Sequence, residues 1–104
     1  MPAILVLTTL PNDDSTTAEL ARTLIVERLA ACVNVHGPMQ STYRWGGKVE
    51  TAAERQLVIK TTSGRLPALE ARLRLLHPYE LPEFVVIRPE SASAAYAKWV
   101  GESV

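Results

Sequence analysis

Between Val33 and Ile59 the chain alternates in polarity about a central Gly46-Gly47 pair, and this stretch constrains the fold more than any other. Val33, Val35, Met39, Ser41, Tyr43 and Trp45 share one parity before the glycines. Val49, Thr51, Ala53, Leu57 and Ile59 share one after them, with Glu50, Glu54 and Lys60 on the other. A period of two predicts strands, and Gly-Gly predicts a primed hairpin turn because both positions need positive φ. Gly37-Pro38 interrupts the first arm and predicts a bulge or an edge position. Each arm runs about 12 to 15 residues, and fifteen extended residues span ~50 Å at ~3.3 Å each. A domain of 104 residues is roughly 33 Å across. The hairpin must therefore bend at Gly37-Pro38, protrude, or pair with another subunit. An isolated hairpin is marginal in water and an open edge invites further pairing, so the sequence predicts a closed homo-oligomer. This argument does not fix the number of subunits.

The rest of the chain alternates strand and helix signals around that hairpin. Ala3 to Leu10 is a short apolar run without a basic leader or cleavage site, too short to span a bilayer, and reads as a buried strand. Asn12-Asp-Asp-Ser15 follows Pro11, and the spacing predicts a first helix over about 15 to 30. Thr16 with Glu19 fits a capping box there, with the Asp or Ser residues as alternative caps. Ser63-Gly64 breaks the hairpin's second arm. Leu66, Leu69, Leu73 and Leu76 form the stripe of a second helix, with Pro67 tolerated in its first turn and His77-Pro78 as its stop. Phe84 to Ile87 reads as a short buried strand and Ala92 to Val100 as a closing helix. The order β-α-β-β-α-β plus a terminal helix is that of an α+β, ferredoxin-like split βαβ sandwich, two helices on one face of the sheet. The other face needs separate cover or must tolerate water.

Composition removes several functions. Eleven Lys and Arg balance eleven Asp and Glu, which argues against nucleic acid and against a polybasic membrane-surface module. With 47% apolar and 21% charged residues the chain is globular, and its length predicts one domain over 1–104. A single cysteine excludes an internal disulfide and suits a reducing, cytoplasmic setting. One cysteine and two histidines cannot build a Cys/His zinc cage within one chain. No Gly-rich phosphate loop, nucleophile elbow or paired-carboxylate spacing occurs, so the expectation is not an enzyme.

At Leu29-Ala-Ala-Cys-Val-Asn34 and Ser41-Thr-Tyr-Arg-Trp-Gly-Gly-Lys-Val-Glu50 the chain closely resembles the CutA family. Thr9-Leu-Pro-Asn12, Leu57-Val-Ile-Lys-Thr61, Leu76-His-Pro-Tyr-Glu-Leu-Pro-Glu83 and Tyr96-Ala-Lys-Trp99 extend the match over essentially the whole length. The resemblance implies a homotrimer of ferredoxin-like subunits, similar in architecture to the PII signalling proteins, with hairpins paired between neighbours. It also implies an association with divalent-cation tolerance, with copper or another divalent cation as the ligand. It brings no reaction and no particular protein partner.

Two residues stand out as metal-ligand candidates. Cys32 offers a soft thiolate suited to copper(I) or zinc, against the reading of a small buried hydrophobe. His77 offers an imidazole nitrogen, against the reading of a helix C-terminal histidine held by dipole and carbonyls. Copper-associated CutA proteins carry a second histidine immediately before this one and a cysteine near the end of strand one. Leu76 and Thr8 stand there instead, and only His77 carries over. His36, beside Gly37-Pro38, reads as a solvated or interface residue. Tyr43, Trp45 and Tyr79 could stack a ligand or anchor strands. Lys60, Glu50, Glu54, Glu80 and Glu83 supply charge for an intersubunit cleft, a surface that would equally suit a PII-like sensing or scaffolding trimer holding a small anion or a partner protein.

Overall fold

The computed structural model describes residues 2–104. Its elements are β1 (Ala3–Pro11), α1 (Asp14–Val26), β2 (Cys32–Trp45), β3 (Lys48–Thr62), a 3-10 turn (Ser63–Arg65), α2 (Leu66–Leu76), β4 (Val85–Ile87) and α3 (Ala94–Ser103). The four strands form one antiparallel sheet in the order β2-β3-β1-β4. This is the α+β split βαβ arrangement with a terminal helix that the sequence pattern predicts. No helix of the described residues is long and apolar enough to cross a membrane.

Alternation along β1 and β3 assigns the two faces. Val6 opposes Ile59, Thr8 opposes Leu57 and Val33 opposes Ile59 from the other side, so these residues share one face. That face meets Leu20 and Leu24 of α1 and Leu69 and Leu73 of α2 in a single apolar core. The opposite face carries Leu5, Leu7, Gln56 and Lys60, and α3 crosses one end of it, where Lys60 Nζ sits 5.7 Å from the centre of the Tyr96 ring.

Three local readings shift. The N-cap of α1 is Asp13, one of the alternative caps, whose Oδ1 accepts from the N–H of Ser15 and of Thr16, and the Thr16 capping box does not form. The helix stops at Val26, short of residue 30, because Arg28 turns into the left-handed region at φ 59°. Arg28 N–H then bonds Ile25 O and Leu29 N–H bonds Leu24 O, the paired closure of a Schellman motif, with Leu24 and Leu29 both buried. The expected buried strand at 84–87 is an edge strand, Val85–Ile87, whose residues are 46%, 37% and 40% exposed. Its apolarity is real, but within one subunit each side chain is only partly covered.

The hairpin is 14 residues in β2 and 15 in β3, and it gives the subunit a long dimension of 44 Å against 27 and 23 Å. It both bends and protrudes. Between the His36–Gln56 and Met39–Glu54 pairs, Gly37 and Pro38 oppose the single residue Arg55, which is a bulge. Gly37 lies at φ +120°, where a Cβ would come within 3.2 Å of Glu54 O and Met39 N. Gly46 and Gly47, at φ 58° and 78°, close the tip.

The extra residue changes faces as well as direction. Val33 and Val35 pair with Ile59 and Leu57 on the helix-covered side, whereas Met39, Tyr43 and Trp45 pair with Glu54, Glu50 and Lys48. Those partners have the other parity on β3. One sequence parity in β2 is therefore two faces of the sheet, because a one-residue insertion flips every side chain beyond it.

Candidate functional site

The flipped face brings Tyr43 and Glu54 onto the side that receives the His77–Phe84 segment. β4 pairs with β1 only from Leu5 to Leu7, so the rest of that β1 edge has no strand beside it. The chain leaving α2 fills the gap. Tyr79 N–H donates to His77 Nδ1 at 3.1 Å, so Nδ1 presents a lone pair and Nε2 carries the hydrogen. Nε2–H then donates to Thr9 O at 2.8 Å. His77 is thus a neutral side-chain cap on an open strand edge, 8% exposed. Burial pushes its pKa below the usual histidine value, against weaker opposing effects of the Thr9 hydrogen bond and the Glu54 charge.

Tyr79 extends this cluster to the hairpin. Its hydroxyl donates to Glu54 Oε2 at 2.6 Å, a charge-assisted bond to a carboxylate that is 7% exposed. Burial, followed by the Glu54 hydrogen bond and charge, raises the Tyr79 pKa far above the usual phenol range, and Tyr43 adds a smaller push. The effect of Tyr43 agrees with the face reversal at the bulge. Gln56 joins the same face, donating from Nε2 to Thr8 O at 2.9 Å and to Glu83 Oε1 at 3.0 Å. Gln56 of β3 therefore ties Glu83 to β1, and Tyr79 is held to β3 through Glu54.

The candidate ligands fall into separate places. Cys32 opposes Lys60 at the start of β2 and is half-buried. His77 docks at Thr9, whose partner on β3 is Gln56. Four strand residues separate Lys60 from Gln56, or ~13 Å of ladder. Among the described residues no three His, Cys, Asp or Glu side chains are grouped to hold a metal. Both nitrogens of His77 are also engaged, so metal contact there requires breaking a bond to Thr9 or Tyr79. Thr8, at the position where copper-associated relatives carry cysteine, is fully buried, and its hydroxyl has no hydrogen-bond partner among the described residues. His36 is exposed beside the bulge.

The cleft candidates are likewise spread along the hairpin. Tyr43 opposes Glu50 and Trp45 opposes Lys48 near the tip, with Tyr43 and Trp45 43% and 51% exposed. Lys60 lies ten residues further down β3 than Glu50, ~33 Å along the strand. Glu80 is exposed on the segment after His77. One subunit brings Tyr79 to Glu54 and does not bring Lys60 to Tyr43, Trp45 or Glu50. Gln56 and the Thr9 carbonyl were not among the candidates. Their only signal was the early end of the Phe84–Ile87 strand, which leaves a β1 edge to be capped.

With this geometry defined, comparison with known proteins is decisive. Residues 4–103 match the family described as CutA1 divalent ion tolerance protein. The chain belongs to the CutA1 family. It is 39% identical over 98 residues to the divalent-cation tolerance protein CutA of Thermus thermophilus, covering 94% of each. It is 43% identical over 96 residues to the protein CutA homolog of Xenopus laevis, covering 92% of this chain and 63% of that one. Against the chloroplastic protein CutA 1 of Oryza sativa it is 38% identical and spans 58% of that relative's length. Among solved structures, the Thermus thermophilus CutA1 protein superposes with a TM-score of 0.93 at 37% identity, covering 98% of both chains. The PII-like protein CutA from Nostoc gives 0.89 at 37% identity, covering 96% of this chain and 95% of that one. The CutA1 fold and its PII-like relatives thus account for the hairpin as a family feature.

Proposed function

We propose that this CutA1 protein acts as a cytoplasmic homotrimer in divalent-cation tolerance, with its working sites formed between subunits. The observation that carries the reading is the pairing of an overlong hairpin with uncovered apolar surface. Val85, Val86 and Ile87 on the β4 edge, and Tyr43, Trp45 and Val49 on the upper hairpin, all stand open in one subunit. Association would cover them and bring Lys60 of one copy toward the hairpin of another, which a single chain cannot do. Copper or another divalent cation would meet Cys32 and His77 only with help from a neighbouring copy, and His77 would have to release one hydrogen bond. The function is binding rather than catalysis. The test is a copper and zinc titration of the purified oligomer beside Cys32→Ser and His77→Ala. Affinity lost in either variant supports direct chelation, and affinity unchanged in both rejects it.

A second reading is favoured by one contact. Lys60 is held over Tyr96 on the face opposite α1 and α2, where a PII-like sensing or scaffolding trimer would receive a small anion or a partner. The PII-like description belongs to the Nostoc relative. Thermal-shift screening separates the two: stabilisation by organic anions without a metal response favours sensing.

A further inference from the structure

The seam between α3 and the β3–α2 junction holds an open groove of about 620 Å³ that the metal reading does not use. Thr62, Gly64 and Arg65 line one wall, and Ala97, Lys98 and Gly101 line the other. Its charged lining is two cations from different elements, Arg65 and Lys98, with one carboxylate, Glu102. The ion pairs of the described residues, Arg55–Asp14, Arg72–Glu27 and Arg74–Glu70, leave both Arg65 and Lys98 without a carboxylate partner. Thr62 adds a hydroxyl to the wall. Thr62 itself is only 3% exposed.

The floor is open by composition. A Cβ at Gly101 would meet nothing within 4 Å, and Ala97, one turn earlier, adds only a methyl group. Glu102 and Val104 also line it. Arginine presents paired N–H donors that match phosphate oxygens, and lysine contributes a point charge beside them. Glu102 repels a second anionic group but accepts hydrogen bonds from hydroxyls. The volume falls within the ~300–1,000 Å³ of small-molecule pockets and exceeds what a bare phosphate fills.

We propose that this groove binds a hydroxylated phosphomonoester of small-metabolite size, its phosphate on Arg65, Lys98 and the Thr62 hydroxyl and its hydroxyls toward Glu102. The site goes beyond the trimer and metal readings and needs neither, since both walls come from one subunit.

The test is a titration of the ¹⁵N-labelled full chain with ribose 5-phosphate and, separately, with inorganic phosphate, read as amide shifts. Saturable shifts confined to residues 62–66 and 97–102 are expected, with ribose 5-phosphate the tighter ligand. Arg65→Gln and Lys98→Gln should each weaken binding by about tenfold, the loss of one charge-assisted contact. Glu102→Gln should narrow the preference for the sugar phosphate over inorganic phosphate. Gly101→Leu should abolish binding while melting temperature and oligomeric state stay as in the wild type. Shifts that never saturate, that spread over surface lysines and arginines, or that persist in Gly101→Leu would overturn the site and indicate an adventitious ion only. An absence of any shift would overturn it equally.

Discussion

Below the Gly37-Pro38 bulge, Val33 packs against the core with Leu57 and Ile59, which are fully buried under α1 and α2. Above it, Tyr43, Trp45 and Val49 stand 43%, 51% and 68% exposed on the same two strands. The hydrogen-bonded ladder continues through both halves and stops only at the bulge. Backbone pairing is therefore common to the two regions, and burial is what separates them. A strand pair in water gains little from its ladder alone, since each bond replaces one to solvent. The lower half is stabilised by its own subunit. The upper half sets the exposed Tyr43, Trp45 and Val49 among polar residues, and the proposed assembly would cover them.

Substitutions that act on one half and spare the other sharpen this contrast. The largest effect belongs to the lower half: Leu57→Ala should cost about 2–5 kcal/mol, because a fully buried side chain leaves a cavity that two helices and the sheet cannot close. Urea denaturation measures it, and a loss below about 1 kcal/mol would mean the lower half is not the stabilised one. Tyr79→Phe comes next, at about 1–3 kcal/mol, since it leaves the Glu54 carboxylate buried without its donor. Combined with Glu54→Gln the two losses should not add, because both act on one bond.

Thr8→Val works in the opposite direction. Removing a hydroxyl that has no partner, at nearly constant shape, should raise stability by about 1 kcal/mol in the same denaturation experiment. Destabilisation would show that the hydroxyl is bonded in solution. In the upper half, Trp45→Ser should change the stability of a separated subunit by under about 0.5 kcal/mol, as an exposed site does. The same change should lower the melting temperature when protein concentration favours assembly, by mass action. Equal effects at high and low concentration would erase the difference between the halves.

The pH dependence follows from the edge cap. His77 titrates lower in the folded chain than in the unfolded one because burial disfavours its charge. The neutral form satisfies Thr9 O and Tyr79 N–H together, and a proton on Nδ1 would face a donor. Stability from this group is complete above the unfolded value near 6.5 and declines as pH falls through it, by no more than about 1.4 kcal/mol per unit. Melting curves between pH 8 and pH 5 should show that decline, and His77→Gln should flatten it. A slope unchanged in the variant would assign the acid sensitivity to other groups.

Most of the fold was legible because the chain changes period at each element. The 3-4-3 leucine stripe of α2 and the Gly46-Gly47 turn translate directly into structure. The end of α1 was not legible, since the left-handed position is occupied by Arg28 instead of glycine and only the Leu24–Leu29 packing justifies it. The face reversal in β2 escaped parity counting for a similar reason: Gly37-Pro38 signals a bulge, but a bulge transfers every later side chain to the other face. Val85 to Ile87 illustrates the limit of reading burial from apolarity, because they form an edge strand that stays 37–46% exposed within one subunit. In the candidate site, His77 and Tyr79 could be singled out by type, whereas their bonds to Thr9 and Glu54 depend on where β4 ends.

Sedimentation equilibrium on the full chain tests the proposed assembly most directly. One subunit weighs 11.4 kDa, and a closed species of three such subunits at micromolar concentration is the expected result. A single species of 11.4 kDa under those conditions would contradict it, since the upper hairpin and the β4 edge would then face water without cover.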